Sequence, residues 1–262
     1  MSRYAHMFAS RRGVFVPFLM LGDPDLETSE LLCEAALRGG ADALELGIPF
    51  SDPIADGPVI QAAAVRARLA GATPARCFEL TRRLRARFGD VPLGLLVYAN
   101  LVVRRGIDAF YTQAQEAGVD SVLVADVPTL EGAPFAAAAK ACGIDPIFVV
   151  PPDAEPAVLR RVAAMSAGYT YVLGRAGVTG EGTEPEFPPP AVFASLREHG
   201  APPALVGFGI SRPEHVRAAV AAGAAGAISG SALVARIARA PDRGAKFAAA
   251  EEFVRAMRAP VE

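Results

Sequence analysis

The sequence predicts an α/β chain of the (β/α)8 class, and three observations carry that expectation. Eight short apolar runs recur along the 262 residues, with longer helix-like stretches between them. The runs are nearly continuous in Val, Ile, Leu and Phe, as parallel strands covered on both faces are. The 25 glycines and 22 prolines gather after the runs, where the loops of such a barrel carry its function. Length permits one or two domains, and barrels of this size routinely form one unit, so residues 1–262 are expected to be a single (β/α)8 TIM barrel.

The elements follow in order. An amphipathic piece over residues 3–11 precedes the first run and is placed to close the barrel floor. The strands are expected at 14–21, 43–48, 93–99, 121–127, 146–150, 169–174, 204–209 and 225–230. Thr73-Pro74 opens one intervening helix with a cap and a proline in the first turn, and Arg212-Pro213-Glu214 opens another. A further helix is expected to begin at Ser231, and residues 244–257 read as a terminal surface helix.

Composition excludes several functional classes. With 52% hydrophobic and 21% charged residues the chain can bury a large core. A net charge of −2 offers no basic field for nucleic acid. Cys33, Cys77 and Cys142 are widely spaced, which suggests neither a disulfide framework nor a zinc site and fits a cytoplasmic protein. Ser10-Arg11-Arg12 loosely imitates a twin-arginine export signal, but no small-x-small site follows, and residues 218–235 are too rich in Ala and Gly to favour a membrane.

The densest chemical signal lies in residues 42–58. Alternation along the second strand turns Leu44, Leu46 and Ile48 toward the helices and Ala43, Glu45 and Gly47 toward the barrel interior. An inward Glu45 is poorly hydrated, which raises its pKa toward neutrality and suits proton transfer in either direction; the bland alternative is a buried Glu paired with an Arg. Asp56 stands in a Pro- and Gly-punctuated loop at the same strand end, either reaching over the mouth or serving as a turn residue, and for Asp52 the turn is preferred.

Three glycine-rich segments follow the late strands, at 177–180, 207–211 and 229–231. Together with a helix starting at Ser231 they suit a phosphate, because glycine admits close backbone approach and the helix end adds a positive dipole. The third glycine of a dinucleotide fingerprint is lacking, so NAD is not implied. None of His6, His199 and His215 falls at a strand end, and Lys140 and Lys246, the only lysines, lie in helical stretches, which disfavours a metal or a Schiff base at the mouth. A phosphorylated substrate handled by carboxylates alone must carry its own electron sink.

Residues 44–58, 93–100 (LGLLVYAN), 169–180 and 206–231 resemble, in unbroken strand order, the motifs of tryptophan synthase α subunits, and the similarity runs from about residue 2 to 255. That resemblance implies a retro-aldol lyase of tryptophan biosynthesis that splits indole-3-glycerol phosphate into indole and glyceraldehyde 3-phosphate, the indole being the sink. It makes Glu45 the acid-base residue, Asp56 the carboxylate that accepts the indole NH, and Tyr171 an assistant beside the glycerol chain. Gly180, Gly209, Gly230 and Ser231 match phosphate-binding positions, and Thr179 and Arg175 fall on the mobile lid. Phe18, Leu96 and Tyr98 match the walls of the indole slot, with plain core as the alternative. The resemblance further implies a β subunit in an α2β2 heterotetramer, met on the side of the 53–58 loop, with pyridoxal phosphate in that subunit and no cofactor or metal here. Gly174 stands where the family has a serine, and the lid over 181–190 is short and Pro-rich, which bears on lid closure. The rival readings are a flavin or sugar-phosphate barrel, an activator that has lost its chemistry, and a stand-alone lyase that releases free indole.

Overall fold

The computed structural model describes residues 2–11, 13–151, 153–174 and 187–261. Its strands are β1 (Val14–Met20), β2 (Leu44–Gly47), β3 (Leu93–Val97), β4 (Ser121–Val124), β5 (Asp145–Ile147), β6 (Val149–Val150), β7 (Thr170–Leu173), β8 (Ala204–Gly207) and β9 (Gly226–Ser229). The helices are α1 (Arg3–Ser10), α2 (Leu26–Arg38), α3 (Pro58–Leu69), α4 (Pro74–Arg87), α5 (Ala99–Val103), α6 (Ile107–Glu116), α7 (Ala133–Ala141), α8 (Pro156–Met165), α9 (Pro190–Glu198), α10 (Pro213–Ala222), α11 (Ser231–Arg239) and α12 (Arg243–Arg258).

All strand pairs are parallel, in the order β5-β4-β3-β2-β1-β9-β8-β7-β6. β5 and β6 are two halves of the fifth expected run: β5 pairs with β4 and β6 with β7, so the sheet closes into an eight-stranded barrel. Across the break the Tyr171 amide donates to the Phe148 carbonyl at 3.1 Å, which keeps the seam hydrogen-bonded. The expected α/β barrel is the observed fold.

Several expected strands end early, for identifiable reasons. Residues 125–127 leave the β4 ladder because the Asp126 carboxylate turns to accept the Ala99 amide at 2.7 Å, and Ala99 already belongs to α5. Thr73 caps α4 as its sequence indicates, and Pro213 opens α10 with Arg212 at the cap position. Pro188-Pro189-Pro190, at the end of the expected 181–190 lid, leads into α9, because proline's fixed φ suits the first helical turn.

Side chains of alternate strand residues separate an outer core, with Leu44, Leu46 and Ile48 against the helices, from an inner core that holds Val14, Val16, Ala43, Leu123, Ile147, Tyr171, Leu205 and Ile228. α1 plugs the inner core from below through Tyr4 and Met7, both buried. Tyr4 shares a 2.9 Å hydrogen bond with Ser121, and Gly94 leaves room for that pair, since a Cβ there would lie 2.6 Å from the Ser121 Oγ. The floor is tied outside by ionic contacts: Asp42 accepts from the Phe15 amide and pairs with buried Arg258 at 2.9 Å, and Asp120 holds the Leu93 amide and pairs with Arg3 and Arg85. Among the described residues no helix is long and apolar enough to cross a membrane.

Candidate active site at the barrel mouth

A cavity of about 170 Å³ opens at the C-terminal ends of the strands. Glu45, Asp56, Tyr171, Phe18, Leu96, Gly209, Gly230 and Ser231 all line it, so most of the expected site residues face one space. Gly180, Thr179 and Arg175 lie outside the described residues. Phe208, Ile210 and Ser211, within the expected glycine-rich segment 207–211, also line the cavity, as do Ala55 and Ile60, and Ile60 was not singled out from the sequence.

Glu45 lies in the middle of β2, paired in register with Phe18 of β1 and Gly94 of β3, and is only 2% exposed. Its partner is a hydroxyl: Tyr169 donates to Oε1 at 2.9 Å. Burial pushes the Glu45 carboxyl up to about 7, the Tyr169 hydrogen bond pulls the other way, and the nearby Asp56 charge adds to the rise. Among the described residues no arginine pairs with Glu45, and its carboxyl stands near its midpoint at neutral pH.

Tyr169 is the functional residue that sequence reasoning passed over. It sits two positions before Tyr171, hence on the same inward face, and strand alternation was the signal available for it. Its ring packs 5.4 Å from that of Tyr4, so the donor to Glu45 rests directly on the floor plug. Burial and the Glu45 charge hold both Tyr169 and Tyr171 well above the ordinary tyrosine range, so both remain neutral hydroxyls.

Asp56 reaches the cavity from the loop between β2 and α3 and is 7% exposed. Its amide closes a turn onto the Pro53 carbonyl at 3.1 Å, and the Gln61 amide donates to its carbonyl at 2.7 Å. Both readings of Asp56 therefore hold at once, with the backbone making the turn and the side chain facing the mouth. Burial raises its carboxyl to about 6, against a lowering hydrogen bond from Tyr98. Tyr98 does not line the cavity, contrary to its expected place in the slot wall. It stands behind Asp56, donating to the carboxylate while its oxygen accepts the Ala55 amide at 3.2 Å, and stacks on Phe50 with ring centroids 5.3 Å apart. Asp52 remains an exposed turn residue, bonded at 2.5 Å to Ser51.

The apolar side is set by close backbone approach. Phe18 lies across β2 because position 47 is glycine: a Cβ there would come within 2.6 Å of the Phe18 ring, whereas a Cβ at position 230 would meet Phe18 at an ordinary 3.4 Å. Gly207 likewise makes room for Tyr171, whose hydroxyl would overlap any Cβ at that position. The opposite rim is backbone. Gly209, Gly230 and Ser231 line it, and Ser231 begins α11, so glycine backbone and the positive end of a helix dipole border the cavity there. Gly174 has a steric cause, since a Cβ would lie 2.7 Å from the Phe208 carbonyl oxygen. Among the described residues no cluster of His, Cys, Asp and Glu is placed to hold a metal.

A buried carboxyl near neutrality, a second carboxylate across an apolar slot and an anion-accepting rim together suit acid-base chemistry on a flat apolar substrate that carries a phosphate. Comparison with known proteins points the same way. A family model described as tryptophan synthase alpha chain matches residues 4–261. The tryptophan synthase alpha chain of Aeromonas hydrophila is 58% identical over 238 residues, covering 89% of both chains, and that of Shewanella amazonensis is 56% identical over 241 residues, covering 90% of this chain and 91% of the other. Tryptophan synthase subunit alpha from Legionella pneumophila superposes with a TM-score of 0.87 at 30% identity, over 99% of this chain and 98% of that one. A chain of the tryptophan synthase a2b2 complex from Pyrococcus furiosus does so with a TM-score of 0.82 at 31% identity, over 95% and 99%. This chain belongs to the tryptophan synthase alpha chain family.

Proposed function

We propose that the protein is a carbon-carbon lyase that cleaves indole-3-glycerol phosphate to indole and glyceraldehyde 3-phosphate, as the α subunit of a cytoplasmic tryptophan synthase. The observation that carries the reading is the pair of buried carboxyls, Glu45 near 7 and Asp56 near 6, on one cavity whose far rim is glycine backbone and the start of α11.

The indole ring lies between Phe18 and Leu96, its NH toward Asp56. Glu45 protonates the ring carbon that bears the glycerol chain, which creates an indoleninium cation. Glu45, now a base, takes the proton of the adjacent hydroxyl as the carbon-carbon bond breaks into the ring, yielding indole and the aldehyde. Asp56 stabilises the transient cation, an interaction strongest where charge develops. Tyr169 steadies Glu45 through both protonation states, and Tyr171 borders the glycerol chain. Gly209, Gly230 and Ser231, with Gly180 by resemblance, take the phosphate. Thr179 and Arg175 act on the lid.

The whole chain works as one barrel unit and holds no cofactor of its own in this reading. A related chain is described in an a2b2 complex, which supports assembly of this one with a β subunit into an α2β2 heterotetramer, the pyridoxal phosphate residing in the partner. Indole release from the purified protein, alone and with a β subunit, tests the proposal. Release that is lost in Glu45→Gln and rises with the partner supports it, and no release under either condition refutes it.

A further inference from the structure

The rim opposite the carboxyls is built from two arms, the turn after β8 that carries Gly209 and the end of β9 that leads into Gly230 and Ser231. The strand ladder does not reach either of them. β8 and β9 pair in register at Leu205↔Gly226 and Val206↔Ala227, and the rim residues all lie beyond the last of these pairs. The β8 arm is also strained, since Phe208 has φ +69° and is followed by Gly209 at φ +80°. A bulky residue holds such a left-handed backbone only when its surroundings impose it.

On the β7 side the turn is held by backbone. The Gly174 amide donates to the Gly207 carbonyl at 2.7 Å, and the Phe208 carbonyl oxygen packs so closely on Gly174 that a Cβ there would lie 2.7 Å from it. On the β9 side the hold is a side chain. The Ser229 hydroxyl, 1% exposed, donates to the Ile210 carbonyl at 2.5 Å. Ser229 directly precedes Gly230, so this hydrogen bond joins the two arms where the ladder no longer does. Removing it takes a donor from the carbonyl of a buried residue and frees the turn to relax its backbone.

We propose that Ser229 is a positioning residue for substrate phosphate: its hydroxyl ties the β8 turn to the end of β9 and fixes the spacing of the two arms that close on the anion. The inference rests on the reading of this rim as the phosphate site, and it assigns affinity, not bond cleavage, to Ser229.

Wild-type protein, Ser229→Ala and Ser229→Cys are assayed over a range of indole-3-glycerol phosphate, with inorganic phosphate as competitor of indole release and indole as competitor of triose release. Ser229→Ala is expected to raise KM and the phosphate inhibition constant together by about threefold to tenfold, as the loss of one hydrogen bond does, with kcat and the indole inhibition constant within about twofold. Ser229→Cys, close in shape but a weaker donor, is expected to fall between Ala and wild type, and it decides the question if the Ala variant does not fold. An unchanged phosphate constant in either variant, an equal rise for phosphate and indole, which marks a general loosening of the barrel, or a loss confined to kcat overturns the role. If phosphate competes in wild-type protein and the variants match it, the role of Ser229 alone falls. If phosphate does not compete in wild-type protein, the phosphate reading of the rim falls and the proposal with it.

Discussion

Replacing Glu45 by Gln should change stability in a manner that depends on pH, and the size follows from its surroundings. In the unfolded chain the carboxyl ionises near 4.5, and in the folded chain near 7, because burial penalises its charge. Between those values the folded protein holds the extra proton, so its stability falls as pH rises through the window and levels off above it. At about 1.4 kcal/mol for each factor of ten, the ionised residue costs about 3 kcal/mol above neutrality. Gln still accepts from Tyr169 and cannot ionise. Urea unfolding of both proteins at about pH 5 and about pH 8.5 should show the stability of Glu45→Gln relative to wild type growing by about 2 to 3 kcal/mol, since part of the cost is already felt at the lower pH. A difference that stays flat within about 1 kcal/mol between the two pH values would refute the argument that burial sets this carboxyl.

Asp56 must be ionised to steady a cation, so kcat/KM for indole release should fall as pH drops through about 6, with Asp56→Asn slower by about a hundredfold or more and lacking that limb; steady-state rates across pH check both. Tyr169→Phe keeps the ring against Tyr4 but removes the donor to Glu45, so the Glu45 pKa should rise further and kcat fall about tenfold, with the basic limb of the profile moved to higher pH. Gly47→Ala places a Cβ against the Phe18 ring and should destabilise by about 1 to 3 kcal/mol by urea midpoint; Phe18→Leu in the same chain should recover part of that loss.

The barrel was legible because its signals are local and repeated. A period-two alternation in residues 43–48 was enough to turn Glu45 inward, and Gly230-Ser231 marked both a strand end and a helix start. What stayed hidden depends on contacts between distant segments. Tyr98 continues the inward face of β3, yet its hydroxyl is drawn behind Asp56 by a loop more than forty residues earlier in the chain. The split of the fifth run at Phe148 is a matter of which neighbour each half meets in the closed sheet. Tyr169 reads as an ordinary strand residue, and its contact with Glu45 arises only where the start of β7 faces β2 across the barrel.

The aromatic plug contributed by α1 shuts the reaction chamber at its floor. Among the described residues Tyr4 and Met7 fill the axis from below, and Tyr169, tilted against Tyr4, donates to Glu45, so the floor beneath the carboxyl is closed by aromatic rings. Substrate therefore approaches from the mouth side. In the proposed reading the triose phosphate occupies the rim where the next substrate's phosphate is to sit, and must vacate it first. On that reading, phosphorylated trioses compete with substrate for the rim, whatever the rate of the chemistry behind it.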